Sequence, residues 1–258
     1  MNIDEQQVKV GNINVNFKIA GMGRPFLILH GWGGKSESWL KVQEILSQKG
    51  FQVIVPDLPG FGKTKSPERP WTLDDYRDFI KKFCEVLNLH NFILLGHSFG
   101  GRISIKLCSE ADSGVSTLIL CNSAGIPNNR GFFARLSAMV SSFFRPIWNL
   151  PGISGMRDGT RFLFYRLARN ADYTKYNPIM RETFLNIVKY DLTPFLGKIM
   201  IPTFLIWGEN DDKTPLRDGQ LMSEKIKNSR LHIIKGGDHV PNLKMPAELS
   251  HIILDFFK

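Results

Sequence analysis

Six short apolar runs, at residues 25–30, 51–56, 91–95, 117–121, 203–207 and 231–234, recur along the 258-residue chain with amphipathic stretches between them. Runs of four to six residues without a polar alternate are what strands read like when both of their faces are covered. The intervening stretches, 38–49, 73–89, 101–110 and 216–227, with 247–257 following the last run, carry apolar residues at helical spacing. Strand and helix therefore alternate, and this rhythm predicts an α/β fold: a mostly parallel sheet with helices on both faces. The second helix starts at Thr72, with Asp75 three residues on as the partner of a capping box. Before the first run, Val8, Val10, Ile13, Val15, Phe17 and Ile19 alternate with polar residues, the pattern of an antiparallel hairpin.

One interval breaks the rhythm. Residues 126–195 hold no clear strand, yet they contain 13 aromatic residues and 10 Lys or Arg against 4 Asp or Glu. Linkers are poor in Phe and Trp, so the interval reads as a helical lid inserted into a core formed by residues 1–125 and 196–258. Within it, Phe132, Phe133, Leu136, Met139, Val140, Phe143, Phe144, Ile147 and Trp148 make a broad apolar stripe at helical spacing. The stripe has two readings that can coexist. It packs onto the main domain, or part of it lines an acyl pocket or touches lipid, and Arg135 and Arg145 beside it admit contact with an anionic membrane surface.

Net charge is +9, a value compatible with nucleic-acid binding, but the cations are scattered and no block of five or more occurs. No zinc-finger, helix-turn-helix or RNA-binding signature accompanies them, so no nucleic-acid partner is expected. Cys84, Cys108 and Cys121 lack CxxC spacing and are odd in number, which suits buried thiols in a reducing compartment. No apolar run approaches 18 residues, and the N-terminus lacks a basic segment followed by an apolar one. The expectation is a cytoplasmic protein, of an oligomeric state the sequence leaves open. No HExxH, Cys/His cluster, Walker loop or GxGxxG is present, so neither a metal nor a cofactor is expected.

The chemistry is carried by Gly96-His97-Ser98-Phe99-Gly100-Gly101, which joins the third of the six runs to a helical stretch. A Gly-x-Ser-x-Gly between strand and helix forces the serine into a strained turn, and the flanking glycines let strand and helix approach. A serine hydroxyl needs a base to take its proton and a third group to orient that base. Both types follow later runs: Trp207-Gly208-Glu209-Asn210-Asp211-Asp212 places carboxylates after the fifth, and Gly237-Asp238-His239 places an imidazole after the sixth. Asp211 and Asp212 are both candidates for the acid. Asp238, next to His239 in sequence, should point away from the ring and into solvent. His30 and His97 read as residues that hold the loops near the site, and Asp57 as the anchor of its Pro-Gly turn.

Four motifs in order, His30-Gly31-Trp32-Gly33-Gly34, Asp57-Leu58-Pro59-Gly60-Phe61-Gly62, the Ser98 motif, and the pair around Asp211 and His239, resemble a lidded α/β-hydrolase over nearly the whole chain. The resemblance implies Ser98 as nucleophile, His239 as base and then acid, and Asp211 as orienter. That family sets the acid four residues after the tryptophan position and four before a proline, here Trp207 and Pro215, which favours Asp211 over Asp212. It also implies an oxyanion hole from the backbone N–H groups of Trp32 and Phe99. The stretch Cys121-Asn122-Ser123-Ala124, where some relatives carry their acid, has no carboxylate. The activity implied is hydrolysis of carboxylic esters with small to medium apolar acyl groups, the substrate being a small-molecule ester or lactone. Lactone opening, cleavage of an activated C–C bond with the same triad, and a non-catalytic ligand receptor are the alternatives. Ser98 speaks against relatives that use an aspartate there, and Phe99 speaks, without excluding them, against cofactor-free haloperoxidases, which usually carry methionine at that position.

Overall fold

The computed structural model describes residues 2–127 and 176–258. The stripe from Phe132 to Trp148, with Arg135 and Arg145, lies outside the described residues.

Eight strands form one sheet in the order β1-β2-β4-β3-β5-β6-β7-β8. β1 (Asp4–Val10) and β2 (Ile13–Ala20) are the antiparallel hairpin, and β2 lies antiparallel to β4 (Phe51–Pro56). The remaining pairings, among β3 (Arg24–Leu29), β4, β5 (Phe92–His97), β6 (Val115–Cys121), β7 (Thr203–Gly208) and β8 (Ser229–Ile234), are parallel. Successive side chains of a strand point to opposite faces, so a doubly covered strand feeds two cores. Leu27 and Leu29 of β3, with Leu94, Leu118, Leu120 and Leu205, pack under α2 (Leu73–Val86) and α3 (Phe99–Cys108). Phe26 and Ile28, with Val53, Val55, Ile93, Leu95 and Ile206, pack under α1 (Leu40–Ser47) and α8 (Pro246–Asp255).

Helix α2 begins with the capping box: the Thr72 hydroxyl accepts from the Asp75 N–H at 3.3 Å, and the Asp75 carboxylate accepts from the Thr72 N–H at 2.7 Å. The bond from Arg69, joined by those from Thr72, holds the Asp75 carboxyl down at about 2 against the opposing effect of burial.

Two described helices fall in the interval expected to be an insertion, α4 (Pro178–Val188) and the short α5 (Thr193–Leu196). Asn177 caps α4 by accepting from the Met180 N–H at 2.9 Å, with Pro178 at its first turn. Met180, Ile187, Leu192 and Leu196 belong to the same apolar cluster as the α2/α3 face of the sheet. The Thr183 hydroxyl accepts from the Trp71 N–H at 2.9 Å. Arg102, on α3, donates to the carbonyls of Ile187 and Tyr190 at 3.1 and 2.8 Å, satisfying acceptors that the end of α4 leaves open. The chain from residue 177 to residue 196 is thereby bound to the sheet through α3 and the turn before α2.

The six parallel strands all end on one side. The residues that follow β3, β4, β5, β6, β7 and β8 are therefore neighbours along one sheet edge, where such sheets bind ligands. Completing the described helices, α6 (Leu216–Lys225) precedes β8, and α7 (Pro241–Lys244) follows the loop that bears His239. A 3-10 turn at Ser36–Trp39 precedes α1.

Candidate active site

Ser98 joins β5 to α3 with φ 51° and ψ −109°, a region that a non-glycine residue enters only under constraint. The glycines around it explain how the turn closes. A Cβ on Gly96 would meet Ser104 Oγ, and one on Gly100 would run into the Leu29 carbonyl oxygen. The helix therefore sits directly against β3 and β5. A Cβ on Gly31 would come within 3.2 Å of Ser98 Cβ and 2.9 Å of His97 Nδ1, so the loop after β3 passes alongside the serine. Phe99 is the first residue of α3, and the N–H groups of a first helical turn have no partner inside the helix.

Ser98, His239 and Asp211 come together at this edge. His239 Nε2 lies 3.1 Å from Ser98 Oγ, and His239 Nδ1 lies 2.8 Å from Asp211 Oδ2. With Nδ1–H donating to the carboxylate, Nε2 presents its lone pair to the serine hydroxyl. The Asp211 side chain is fully buried. Burial pushes its pKa up, but bonds from His239, and then from the Thr214 hydroxyl and N–H, outweigh that and hold it below the ordinary carboxylate value. Its Oδ1 accepts from the N–H groups of Lys213 and Thr214 at 2.8 and 2.9 Å. Asp212 is elsewhere: its side chain is 70% exposed and faces Lys213 at 3.5 Å. Asp238 bonds to groups other than the ring, and it is not simply solvated. Its carboxylate accepts from the Val240 N–H at 3.0 Å and pairs with Lys244 on α7.

The other histidines are tied into backbone. His30, fully buried, donates from Nδ1 to the Gly31 carbonyl at 2.8 Å and accepts at Nε2 from the Leu58 N–H at 3.0 Å, which joins the loops after β3 and β4. Burial lowers its pKa to about 4. His97 donates from Nε2 to the carbonyl of His239 at 2.8 Å, and burial lowers its pKa to about 4 as well. Asp57 accepts from the Ser36 N–H at 2.6 Å, the Lys63 N–H at 2.9 Å and Asn16 Nδ2 at 3.0 Å, so its oxygens are engaged in holding loops.

Sequence reasoning passed over two residues. Asn122, fully buried after β6, donates from Nδ2 to the Asp238 carbonyl at 2.7 Å and accepts at Oδ1 from the Gly208 N–H at 2.8 Å, binding the Asp211 loop to the His239 loop. Thr214 donates to Asp211 Oδ2 at 2.7 Å. The signal for Asn122 was its place, the residue after a parallel strand on the edge that carries the other three.

Beside Ser98 stands a group of aromatic rings. Trp32 packs on Phe61, Phe99, Tyr176 and Phe184 with ring centres 4.9 to 5.6 Å apart, mostly edge to face. The site is therefore walled by apolar surface on the side of α4. Among the described residues, no group of three or more His, Cys, Asp or Glu is arranged to hold a metal ion, and no helix is long and apolar enough to cross a membrane.

Residues 24–246 match the family model described as alpha/beta hydrolase fold. The chain is 27% identical to the human monoacylglycerol lipase ABHD6 over 91% of its own length and 77% of that protein's. It is 25% identical to the 2-hydroxy-6-oxo-6-(2'-aminophenyl)hexa-2,4-dienoic acid hydrolase of Metapseudomonas resinovorans over 98% of this chain and 90% of that one. Among solved structures, the esterase EaEST from Exiguobacterium antarcticum superposes with a TM-score of 0.76 at 22% identity, covering 98% of this chain and 99% of the other, a likeness of fold.

Proposed function

The chain belongs to the α/β-hydrolase family, and from that premise we propose that it is a serine hydrolase cleaving carboxylic esters of small to medium apolar acyl groups. The observation that carries the reading is the relay from Ser98 Oγ through His239 to Asp211, with steps of 3.1 and 2.8 Å. Ser98 Oγ attacks the ester carbonyl as its proton passes to His239 Nε2, and Asp211 holds the imidazolium that forms. The oxyanion is met by the N–H groups of Trp32 and Phe99, each worth about 3 kcal/mol by analogy with other acyl-transfer sites. His239 then gives the proton to the departing alkoxide, leaving the acyl group on Ser98 Oγ. Water, deprotonated by the same imidazole, attacks the acyl carbon and frees the carboxylic acid while Ser98 recovers its proton. In this reading residues 126–195 are the cap over the site, and the rings around Trp32 face the apolar part of the substrate.

The likeness to a dienoic acid hydrolase supports a second reading, in which the same relay assists cleavage of an activated C–C bond. One experiment separates the two. Steady-state hydrolysis of p-nitrophenyl esters from acetate to laurate is followed with the native chain and Ser98→Ala. Turnover lost in the variant supports ester hydrolysis, and the optimum chain length sizes the acyl pocket. A folded native chain without ester turnover, but with Ser98-dependent loss of the absorbance of a 2-hydroxy-6-oxo-dienoic acid, supports the second.

A further inference from the structure

The acid of the relay is held from two sides, and the two are not equivalent. Asp211 Oδ1 is fixed by backbone, through the N–H groups of Lys213 and Thr214. Oδ2, the oxygen that faces His239, is fixed by a side chain, the Thr214 hydroxyl at 2.7 Å. The Cβ–Cγ torsion of an aspartate is broad, and rotation about it moves both oxygens together, so bonds at either oxygen oppose it. A bond made at Oδ2 itself therefore adds to those at Oδ1 in keeping that oxygen on the imidazole.

The hydroxyl is itself closely placed. Thr214 is buried, and its carbonyl accepts from the Trp207 indole N–H at 2.8 Å. Its Oγ1 lies 3.1 Å from the Asn122 carbonyl and 3.3 Å from His239 Nδ1. One hydroxyl proton thus has two acceptors in reach, and the nearer, charged Asp211 Oδ2 takes it. The imidazole Nδ1–H then sees two oxygens, Asp211 Oδ2 at 2.8 Å and Thr214 Oγ1 behind it at 3.3 Å.

We propose that Thr214 is a positioning residue for the base: its hydroxyl holds Asp211 Oδ2 on His239 Nδ1 and so keeps the imidazole aimed at Ser98. The proposal rests on the reading of Ser98 and His239 as nucleophile and base. It assigns the hydroxyl no contact with substrate, so its effect belongs in kcat and not in KM.

The test compares Thr214→Val, which removes the hydroxyl at nearly constant shape, with Thr214→Ser, which keeps it, both in the full chain. Two quantities are read: kcat and KM on a p-nitrophenyl ester, and the low-field proton resonance of the His239 ring N–H, assigned by its absence in His239→Ala. Expected for Thr214→Val are a fall in kcat of about tenfold with KM changed less than about twofold, and a ring N–H resonance displaced upfield, because Oδ2 is no longer held on Nδ1 and the bond to it lengthens. Thr214→Ser restores both. A valine variant with native kcat and native resonance overturns the proposal, as does a loss that serine fails to restore. If the valine chain does not fold, Thr214→Ala takes its place in the same comparison. The resonance does not depend on turnover, so a chain inactive on esters still decides the role of Thr214, whereas unchanged turnover in Ser98→Ala removes the functional reading alone.

Discussion

His239 Nε2 lies 3.1 Å from Ser98 Oγ across 141 positions of chain. Two buried side chains hold that distance by gripping consecutive carbonyls of the loop that bears the imidazole. His97, the residue before the serine, donates to the carbonyl of His239, and Asn122 donates to the carbonyl of Asp238. The imidazole is thus hung from the ends of β5, which leads into Ser98, and of β6 beside it.

Asn122→Ala leaves the Gly208 N–H and the Asp238 carbonyl without their partner in a buried place. The expected loss of stability is about 1–3 kcal/mol, read from urea unfolding, together with a several-fold lower kcat. An alanine variant as stable and as active as the native chain contradicts the clamp.

The two neighbouring carboxylates separate under substitution. Asp211→Asn lowers kcat by about 10⁴, because an amide in place of the carboxylate favours the wrong imidazole tautomer. Asp212→Asn, altering an exposed group, leaves kcat within about twofold. Steady-state kinetics of the two variants side by side checks this, and the reverse ranking would transfer the acid role to Asp212.

His30 and His97 make stability fall in acid. Burial lowers both folded-state values to about 4, while the unfolded chain titrates near 6.5. Above about pH 6.5 both states are neutral at these residues and the stability is fully present. As the pH falls from there towards 4, the unfolded chain binds protons that the folded chain refuses, and stability declines, by a few kcal/mol at most for each histidine, to order of magnitude. Urea midpoints measured from pH 7.5 to 4.5 should drop steadily, and a flat profile over that window would contradict the buried neutral state.

Arg102 binds the end of α4 to α3 through two carbonyls. Arg102→Met keeps the apolar stem and removes the donors, so the carbonyls of Ile187 and Tyr190 lose a partner that is itself buried. The expected cost is about 2–4 kcal/mol in urea unfolding, with protease cleavage between residues 177 and 196 accelerated relative to the rest of the chain. Native unfolding and native cleavage would mean that packing of Met180 and Ile187, with the Thr183–Trp71 bond, suffices to secure α4.

The sheet was legible because its signal is local. A doubly covered strand must be apolar on both faces, and the helices between the runs must each show one apolar stripe, so residues 51–56 read as a strand with the same limits that the fold gives β4. The capping box at Thr72 and Asp75 was legible for the same reason, since its two partners are three residues apart. Less legible was the start of α3, expected at residue 101 and found at Phe99, because the turn at Ser98 lets the helix begin directly after it.

What the sequence by itself determined was the alternation of strand and helix and the chemical types in the loops: a serine between glycines, then carboxylates, then an imidazole, each just beyond an apolar run. What only the tertiary structure decided was which of these groups meet. Asp211 and Asp212 are adjacent and chemically identical, and the turn from Gly208 to Thr214 buries one against His239 while leaving the other in water. Thr214 and Asn122 carry no motif, and their roles arise because parallel strands end on one side of a sheet and bring residues 92 and 116 positions apart into hydrogen-bond range. Hydrogen bonds act over about 3 Å, and no spacing along the chain encodes a distance of that size between loops that the sheet alone brings together.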